Sequence, residues 1–239
     1  MRVVESFVAA LGFLTRVPVR AADPARGAAL FPVIGAGVGA VTGGIAYGLA
    51  QVLPALAAAG IALAGGALLT GALHLDGLAD TADALGTRTR DRALEIMRDH
   101  ATGAYGTTAI ALDLLVKASA LSVLAGGRAV IVYAIAAGAL SRGVPVLLAL
   151  ALRSVRGDGA GAAFRVEPTA ALLAALISIG IAFASGVRHG AVLVIVAACV
   201  ALILAGWYRR WLGGGTGDTL GAATELTETA VLVAAAAFA

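Results

Sequence analysis

From Gly27 to Leu75 the chain contains no Asp, Glu, Lys or Arg, and His74 is its one imidazole. A run this long cannot form the surface of a water-soluble domain. About 20 helical residues cross a hydrocarbon core, so the run holds two spans. Gln51-Val-Leu-Pro54 divides them, because proline ends the preceding helix and suits the first turn of the next. These spans are placed at 32–53 and 55–73. Five more apolar segments come later in the chain, at 104–125, 129–152, 169–187, 190–208 and from about 220 to the C-terminus. The expected fold is all-α: a polytopic membrane helix bundle of about seven transmembrane helices, forming a single integral-membrane domain over 1–239.

The composition agrees. Only 13% of residues are charged and 60% are hydrophobic, against roughly 25% charged in soluble domains. Disorder is excluded by the apolar content, and a disulfide scaffold by the single Cys199. The net charge of +3 arises in short arginine-bearing connections, which are a topology signal before they are a sign of nucleic-acid binding; no nucleic-acid partner is expected. Arg2, Arg16, Arg20 and Arg26 precede the first span; Arg88, Arg90, Arg92 and Arg98 follow the second. Arg153, Arg156 and Arg165 follow the fourth, and Arg209 and Arg210 the sixth. Thirteen of the 17 basic residues thus fall on one side, and only Arg128 and Arg188 on the other. Basic connections stay cytoplasmic, so the chemically equipped face is expected to be cytoplasmic, in the cell inner membrane.

Residues 1–26 lack the strongly basic start and the cleavage site of a signal peptide, and read as a retained interfacial helix against membrane lipid. Gly35, Gly39 and Gly43 form a small-xxx-small series, a helix-packing signal.

The densest polar string is His74-Leu-Asp-Gly-Leu-Ala-Asp-Thr-Ala-Asp83. Asp76, Asp80 and Asp83 stand at i, i+4 and i+7, within about 40° of one helix face. No Lys or Arg lies among positions 71–87 to relieve their repulsion. A divalent cation relieves it. Hard oxygen donors without a Cys or His pair favour Mg²⁺ or Mn²⁺, and magnesium bound by carboxylates is usually completed by phosphate oxygens. The plain alternative is a solvated acidic helix end. His74 reads either as a general base beside the metal or as an interfacial hydrogen-bonding histidine.

Two further clusters belong with this one. Gly213-Gly-Gly-Thr-Gly-Asp-Thr-Leu-Gly221 leads into the last span, and Gly215 and Gly217 suit close approach of backbone N–H groups to phosphate. Asp218 reads as a metal ligand or a helix cap, and the alternative for the whole loop is a flexible linker. Glu225 and Glu228 lie in the first turns of that span, where buried carboxylates favour a functional cavity. In Met97-Arg-Asp-His-Ala-Thr-Gly-Ala-Tyr-Gly106, Arg98 suits phosphate, Asp99 a metal or a hydroxyl, and Gly103 and Gly106 open a helix N-terminus. Asp113 and Lys117 are spaced to neutralise each other, whereas Arg142 has no local partner.

Taken in order, Phe13-Leu-Thr-Arg-Val-Pro18, Phe31-Pro-Val-Ile-Gly35, the His74–Asp83 string, Met97-Arg-Asp99 with Gly103-Ala-Tyr-Gly106, Ser141-Arg142, and Gly213–Gly221 with Glu225 and Glu228 resemble the adenosylcobinamide-GDP ribazoletransferase (cobalamin-5′-phosphate synthase) family nearly end to end. His100 stands where that resemblance leads one to expect a small hydroxyl residue. The resemblance implies a polytopic inner-membrane enzyme dependent on Mg²⁺. It would move adenosylcobinamide phosphate from adenosylcobinamide-GDP to α-ribazole or its 5′-phosphate and release GMP. In that setting Asp76, Asp80 and Asp218 are expected to hold the metal, with Asp83 as a further ligand or as the base. Arg16, Arg98 and Arg142 are expected to contact phosphates, and Asp99, Gly103, Gly106, Lys117, Gly215, Gly217, Glu225 and Glu228 to line the substrate site; a homo-oligomer is compatible with this reading. A phospho-alcohol transferase of lipid synthesis would carry an Arg between its early and late aspartates, missing here. A secondary transporter would share the polytopic body and the charged residues in spans, but would show an inverted repeat with helices broken at mid-membrane, whereas here the carboxylates cluster at one face and the sequence has no internal repeat.

Overall fold

The computed structural model describes residues 2–19, 23–99, 101–155 and 164–239; Arg20 and Arg156, two of the expected cytoplasmic cations, and His100 lie outside the described residues. α1 (Arg2–Leu14) leads through a 3-10 turn (Pro24–Leu30) into α2 (Phe31–Ala50). Then come α3 (Ala55–Thr70), α4 (Leu73–Leu85), α5 (Arg90–Ile96), α6 (Ala104–Leu124), α7 (Ala129–Ala151), α8 (Pro168–Phe183), α9 (Val187–Leu212) and α10 (Gly217–Ala236). Among the described residues the fold is all-helical, and its β structure is an isolated bridge between Ser154 and Gly215.

Helix boundaries follow local chemistry. The Asp23 carboxylate accepts the Ala25 N–H at 2.9 Å ahead of the 3-10 turn, and Thr89 caps α5. Gln51 and Pro54 separate α2 from α3 where the sequence places the turn. α7 is the central column, with every residue from Ala136 to Val146 buried. α2 lies along it on the glycine series. A Cβ on Gly35 would collide with the Gly138 carbonyl oxygen, one on Gly39 with that of Ala134, and one on Gly43 would stand 2.8 Å from Ile131 Cα. The small-xxx-small expectation is thus met within the chain, where missing side chains let two backbones share dispersion contact.

α3 and α4 meet at 94°. Gly71 (φ 65°) and Ala72 (φ 56°) are both left-handed, which glycine tolerates freely. For Ala72 the same conformation costs roughly 1–2 kcal/mol. The aspartate string therefore runs at a right angle to the span that precedes it.

All seven expected apolar segments contain helix, but their number as spans differs from the expectation. Four described helices are long and apolar enough to cross a membrane, or five if α3 and α4 together count as one. α8, with 16 residues, falls short of the ~20 a span needs, and α10 carries Asp218, Glu225 and Glu228. α1 buries Ala9, Ala10 and Leu14 and leaves Val3 and Val4 exposed, an apolar outer face of the kind expected of an interfacial helix.

The basic connections gather at one end. Arg90 Nε donates to the Leu212 carbonyl at 2.7 Å, Arg209 Nη2 to the Ala151 carbonyl at 2.9 Å, and the Val155 N–H to the Gly215 carbonyl at 3.1 Å. The segments after α4, α7 and α9 therefore adjoin. At the far end Tyr133 and His189 share a 2.7 Å hydrogen bond beneath Phe238.

The glycine seam makes a direct prediction. Gly39→Ala should lower stability by about 1–3 kcal/mol through overpacking against α7. Gly37→Ala, on the same helix but with no atom near its would-be Cβ, should be neutral or stabilising by up to ~1 kcal/mol through helix propensity. Thermal unfolding of the two purified variants in detergent checks the pair.

Candidate active site

Where α4 crosses α10, Gly77 meets Gly221. A Cβ on Gly77 would stand 2.8 Å from the Asp218 carbonyl oxygen and 3.1 Å from Gly221 Cα, so only bare backbone permits the approach. The crossing sets Asp76 and Asp80 of α4 on the same cavity as Asp218, in the first turn of α10. That turn is fixed by reciprocal capping. The Thr216 hydroxyl accepts the Thr219 N–H at 3.1 Å, and the Thr219 hydroxyl accepts the Thr216 N–H at 2.8 Å.

The cavity has a volume of about 460 Å³, within the range of small-molecule sites. Its polar lining is His74, Asp76, Asp80, Arg98, Asp99, Arg142, Ser154, Thr216, Gly217, Asp218 and Thr224; Phe13, Leu14, Phe31, Leu73, Met97, Pro145, Phe164 and Leu220 supply apolar surface. Carboxylates from two helices and guanidiniums from α7 and the segment after α5 thus share one small space. This arrangement suits a phosphate-bearing ligand: arginines take phosphate oxygens by fork geometry, and the acidic group has hard donors for a divalent cation.

The glycine-rich loop is ordered, which the linker alternative does not anticipate. Gly213 (φ 75°) closes α9 in the left-handed region, and a Cβ on Gly214 would collide with the Arg153 carbonyl oxygen. The Gly215 N–H donates to that carbonyl at 3.0 Å. Gly217 reaches the cavity, whereas Gly215 lies behind it.

Asp83 is turned to another task. Its carboxylate accepts the Gly103 N–H at 2.7 Å and the Gly106 N–H at 2.9 Å, at the N-terminus of α6, and does not line the cavity. Free N–H groups and the positive helix end both favour a carboxylate there. A Cβ on either glycine would press into Asp83, so these glycines serve the grip on α4. The i, i+7 spacing alone does not set what an aspartate meets. Seven residues along a helix are also about 10 Å of axis, and at that height α6, not the cavity, stands opposite.

Behind the cavity lies a buried ion cluster. Lys117 is 2.9 Å from Asp113, the pairing expected from their spacing, and also contacts Glu225. Arg142 has the partner its own helix did not supply. It contacts Glu228, 86 residues later, and Nη1 donates to Ser141 Oγ at 2.8 Å. Thr229 donates to Asp113. Lys117, Glu225 and Glu228 do not line the cavity; Arg142 belongs to both cavity and cluster. His74 is buried at the cavity wall, and its Nδ1 has no hydrogen-bond partner among the described residues.

Arg16 lies elsewhere, with its side chain over Gly71 at the α3–α4 bend and its N–H donating to the Leu69 carbonyl at 2.8 Å. The sequence does not single out Phe13, Leu14, Phe31, Leu73, Gly77, Met97, Pro145, Ser154, Phe164, Thr216, Leu220, Gly221 or Thr224 as lining residues. Thr216 was legible as a capping-box residue; Phe164 carried no local signal.

An acidic and arginine-lined cavity at the bend of an apolar helical bundle defines a multi-pass membrane protein equipped for a phosphorylated small molecule. The cobalamin-5-phosphate synthase family model matches residues 6–236. The chain is 40% identical to the adenosylcobinamide-GDP ribazoletransferase of Bradyrhizobium diazoefficiens, covering 96% of this chain and 92% of that protein. It is 38% identical to the proteins of the same name from Shigella flexneri and Escherichia coli strain K12, in each case over 95% of this chain and 98% of the relative. The chain belongs to the cobalamin-5-phosphate synthase family, transferases of cobalamin biosynthesis. No solved structure matches it significantly.

The Asp83 grip predicts that Asp83→Ala loses about 1–2 kcal/mol of stability, the cost of a lost cap. Asp83→Asn, which keeps one acceptor oxygen, should lose less, and thermal unfolding of the two variants in detergent measures the difference.

Proposed function

We propose that this enzyme transfers the adenosylcobinamide phosphate group of adenosylcobinamide-GDP to α-ribazole or α-ribazole 5′-phosphate, with Mg²⁺ and with release of GMP, at the cytoplasmic face of the cell inner membrane. The observation that carries the reading is the α4–α10 crossing, which gathers Asp76, Asp80 and Asp218 on one cavity with Arg98 and Arg142. The names of the relatives supply the substrates. Convergence of the basic connections at the cavity's end of the bundle supports the cytoplasmic orientation.

The donor set fits magnesium. Four carboxylates, Asp76, Asp80, Asp99 and Asp218, border the cavity without a Cys or a His pair, and among the described residues no three acidic, His or Cys side chains form a ready-made metal cage. Diphosphate oxygens would complete the coordination begun by Asp76, Asp80 and Asp218, the usual manner for this ion. When bound, Mg²⁺ supplies charge neutralisation at the diphosphate and the leaving phosphate.

The chain's own residues do the rest. A hydroxyl oxygen of the acceptor forms a bond to the phosphorus on the cobinamide side, and the bridging P–O bond breaks. GMP departs with that electron pair. Arg98 and Arg142 hold phosphate oxygens as charge shifts between them, an electrostatic contribution that needs prior alignment more than covalent help. His74, whose Nδ1 has no competing partner, accepts the hydroxyl proton. Asp83 positions the start of α6 through Gly103 and Gly106.

Asp76→Ala and Asp80→Ala, purified from membranes, should each lower Mg²⁺-dependent GMP release from adenosylcobinamide-GDP and α-ribazole by about 10²-fold or more, with unfolding temperature kept. Near-normal release by either folded variant would sink the site assignment.

A further inference from the structure

The chain has only six phenylalanines. Three of them, Phe13 of α1, Phe31 at the start of α2 and Phe164 ahead of α8, converge on the cavity. Their rings are nearly parallel. Phe13–Phe31, Phe31–Phe164 and Phe13–Phe164 have centroid separations of 5.6, 5.3 and 6.1 Å and interplanar angles of 14°, 13° and 7°. Phe31 is buried, whereas Phe13 and Phe164 remain half-exposed at the lining. Close packing of helices does not require such alignment, since aromatic pairs are equally content edge to face. A set of parallel rings beside a cavity is suited to a flat ligand group.

The anion-binding wall lies one helical turn away. Phe31 and Gly35 are i and i+4 on α2, about 6 Å apart along the axis. A Cβ on Gly35 would stand 2.9 Å from Arg142 Cδ. One small molecule can therefore reach both the rings and the arginine.

We propose that Phe13, Phe31 and Phe164 form the stacking subsite for the planar base of the acceptor nucleoside. The inference rests on the transfer reaction proposed for this cavity. Both substrates carry a heterocycle, and edge chemistry separates them. Guanine has several donors and acceptors whose loss of water must be matched by protein partners, and phenylalanine rings offer none. A methylated benzimidazole, with an apolar edge, loses little on entering such a subsite. The rings thus select the acceptor rather than the GDP end of the donor.

The test uses the full-length enzyme in detergent. Phe164→Leu keeps apolar bulk and removes the ring, and Phe164→Tyr restores it. Phe13→Leu is the independent second variant should Phe164→Leu not purify folded. The expected result is a rise of about tenfold or more in KM for α-ribazole with KM for adenosylcobinamide-GDP and kcat within about twofold of wild type, and recovery in Phe164→Tyr. Equal rises in both KM values, or no rise in either, would overturn the subsite. Calorimetric binding of α-ribazole separates this inference from the reaction itself. If the wild-type enzyme shows no transfer, the functional reading fails, and the subsite stands or falls on whether wild-type protein binds α-ribazole and Phe164→Leu binds it at least about tenfold more weakly.

Discussion

Charge inside an apolar bundle persists only where opposite charge meets it, and this fold is organised around one such meeting. Lys117 of α6, Arg142 of α7 and Glu225 of α10 lie buried together with Asp113, and half-buried Glu228 of α10 closes the group. Taking these groups out of water is costly, and truncating one would leave its partner uncompensated. The cluster therefore specifies how three helices pack more than it adds net stability. α10 cannot slide along α7 without separating Arg142 from Glu228, so the register of α10 is set from within. Because Arg142 also borders the cavity, the same contact fixes a guanidinium where an anionic ligand would arrive.

With α10 placed, the site needs α4 laid across it, and the backbone does this at two points. The left-handed pair Gly71–Ala72 turns the chain through a right angle. Gly77 and Gly221 then let the helices touch without side chains between them. Side chains at those positions would push Asp76 and Asp80 away from Asp218. The strained conformation of Ala72 is held in place from the other end of the helix, where Asp83 binds the N-terminus of α6 through two backbone N–H groups. α4 is thus fastened at a bend, a crossing and a tip. A short amphipathic helix carrying repelling carboxylates keeps its place by those three contacts.

The features legible in the sequence were those that depend on near neighbours. Uncharged runs marked the helices, Gln51–Pro54 marked a turn, the glycine triplet marked a packing seam, and i,i+4 spacing paired Asp113 with Lys117. Helical periodicity placed Asp76, Asp80 and Asp83 on one face. It could not say which element stands opposite that face at each height, and so it did not separate the two aspartates at the cavity from the one that holds α6. The partner of Arg142 lies 86 residues away, and periodicity within α7 has no reach over that distance. Gly71 hinted at a helix end, but Ala72 gave no sign of a left-handed residue, because its conformation is imposed by the packing of α4. The number of helices long enough to span, four or five against about seven expected, differs for a related reason. Apolarity measures the solvent a helix prefers, whereas spanning also needs length, and α8 and the bent α3–α4 pair divide their apolar residues into pieces too short to cross alone.

The distribution of the scarce polar groups explains why one cavity can serve two unlike ligand parts. A membrane-embedded helix offers mostly aliphatic surface, so a site within such a bundle is apolar unless polar side chains are brought to it. Here the bend carries one set of carboxylates in, the capped start of α10 carries another, and the ion cluster delivers Arg142. The remaining side is left to phenylalanines from segments far apart in sequence. Charge and aromatic rings then lie within a single turn of α2 from each other, joined by Gly35, whose missing side chain leaves room for the arginine stem. That proximity favours a ligand whose phosphate and flat base are themselves only a sugar apart. A lipid phosphate, with no flat group at that distance, would leave the three rings unmatched.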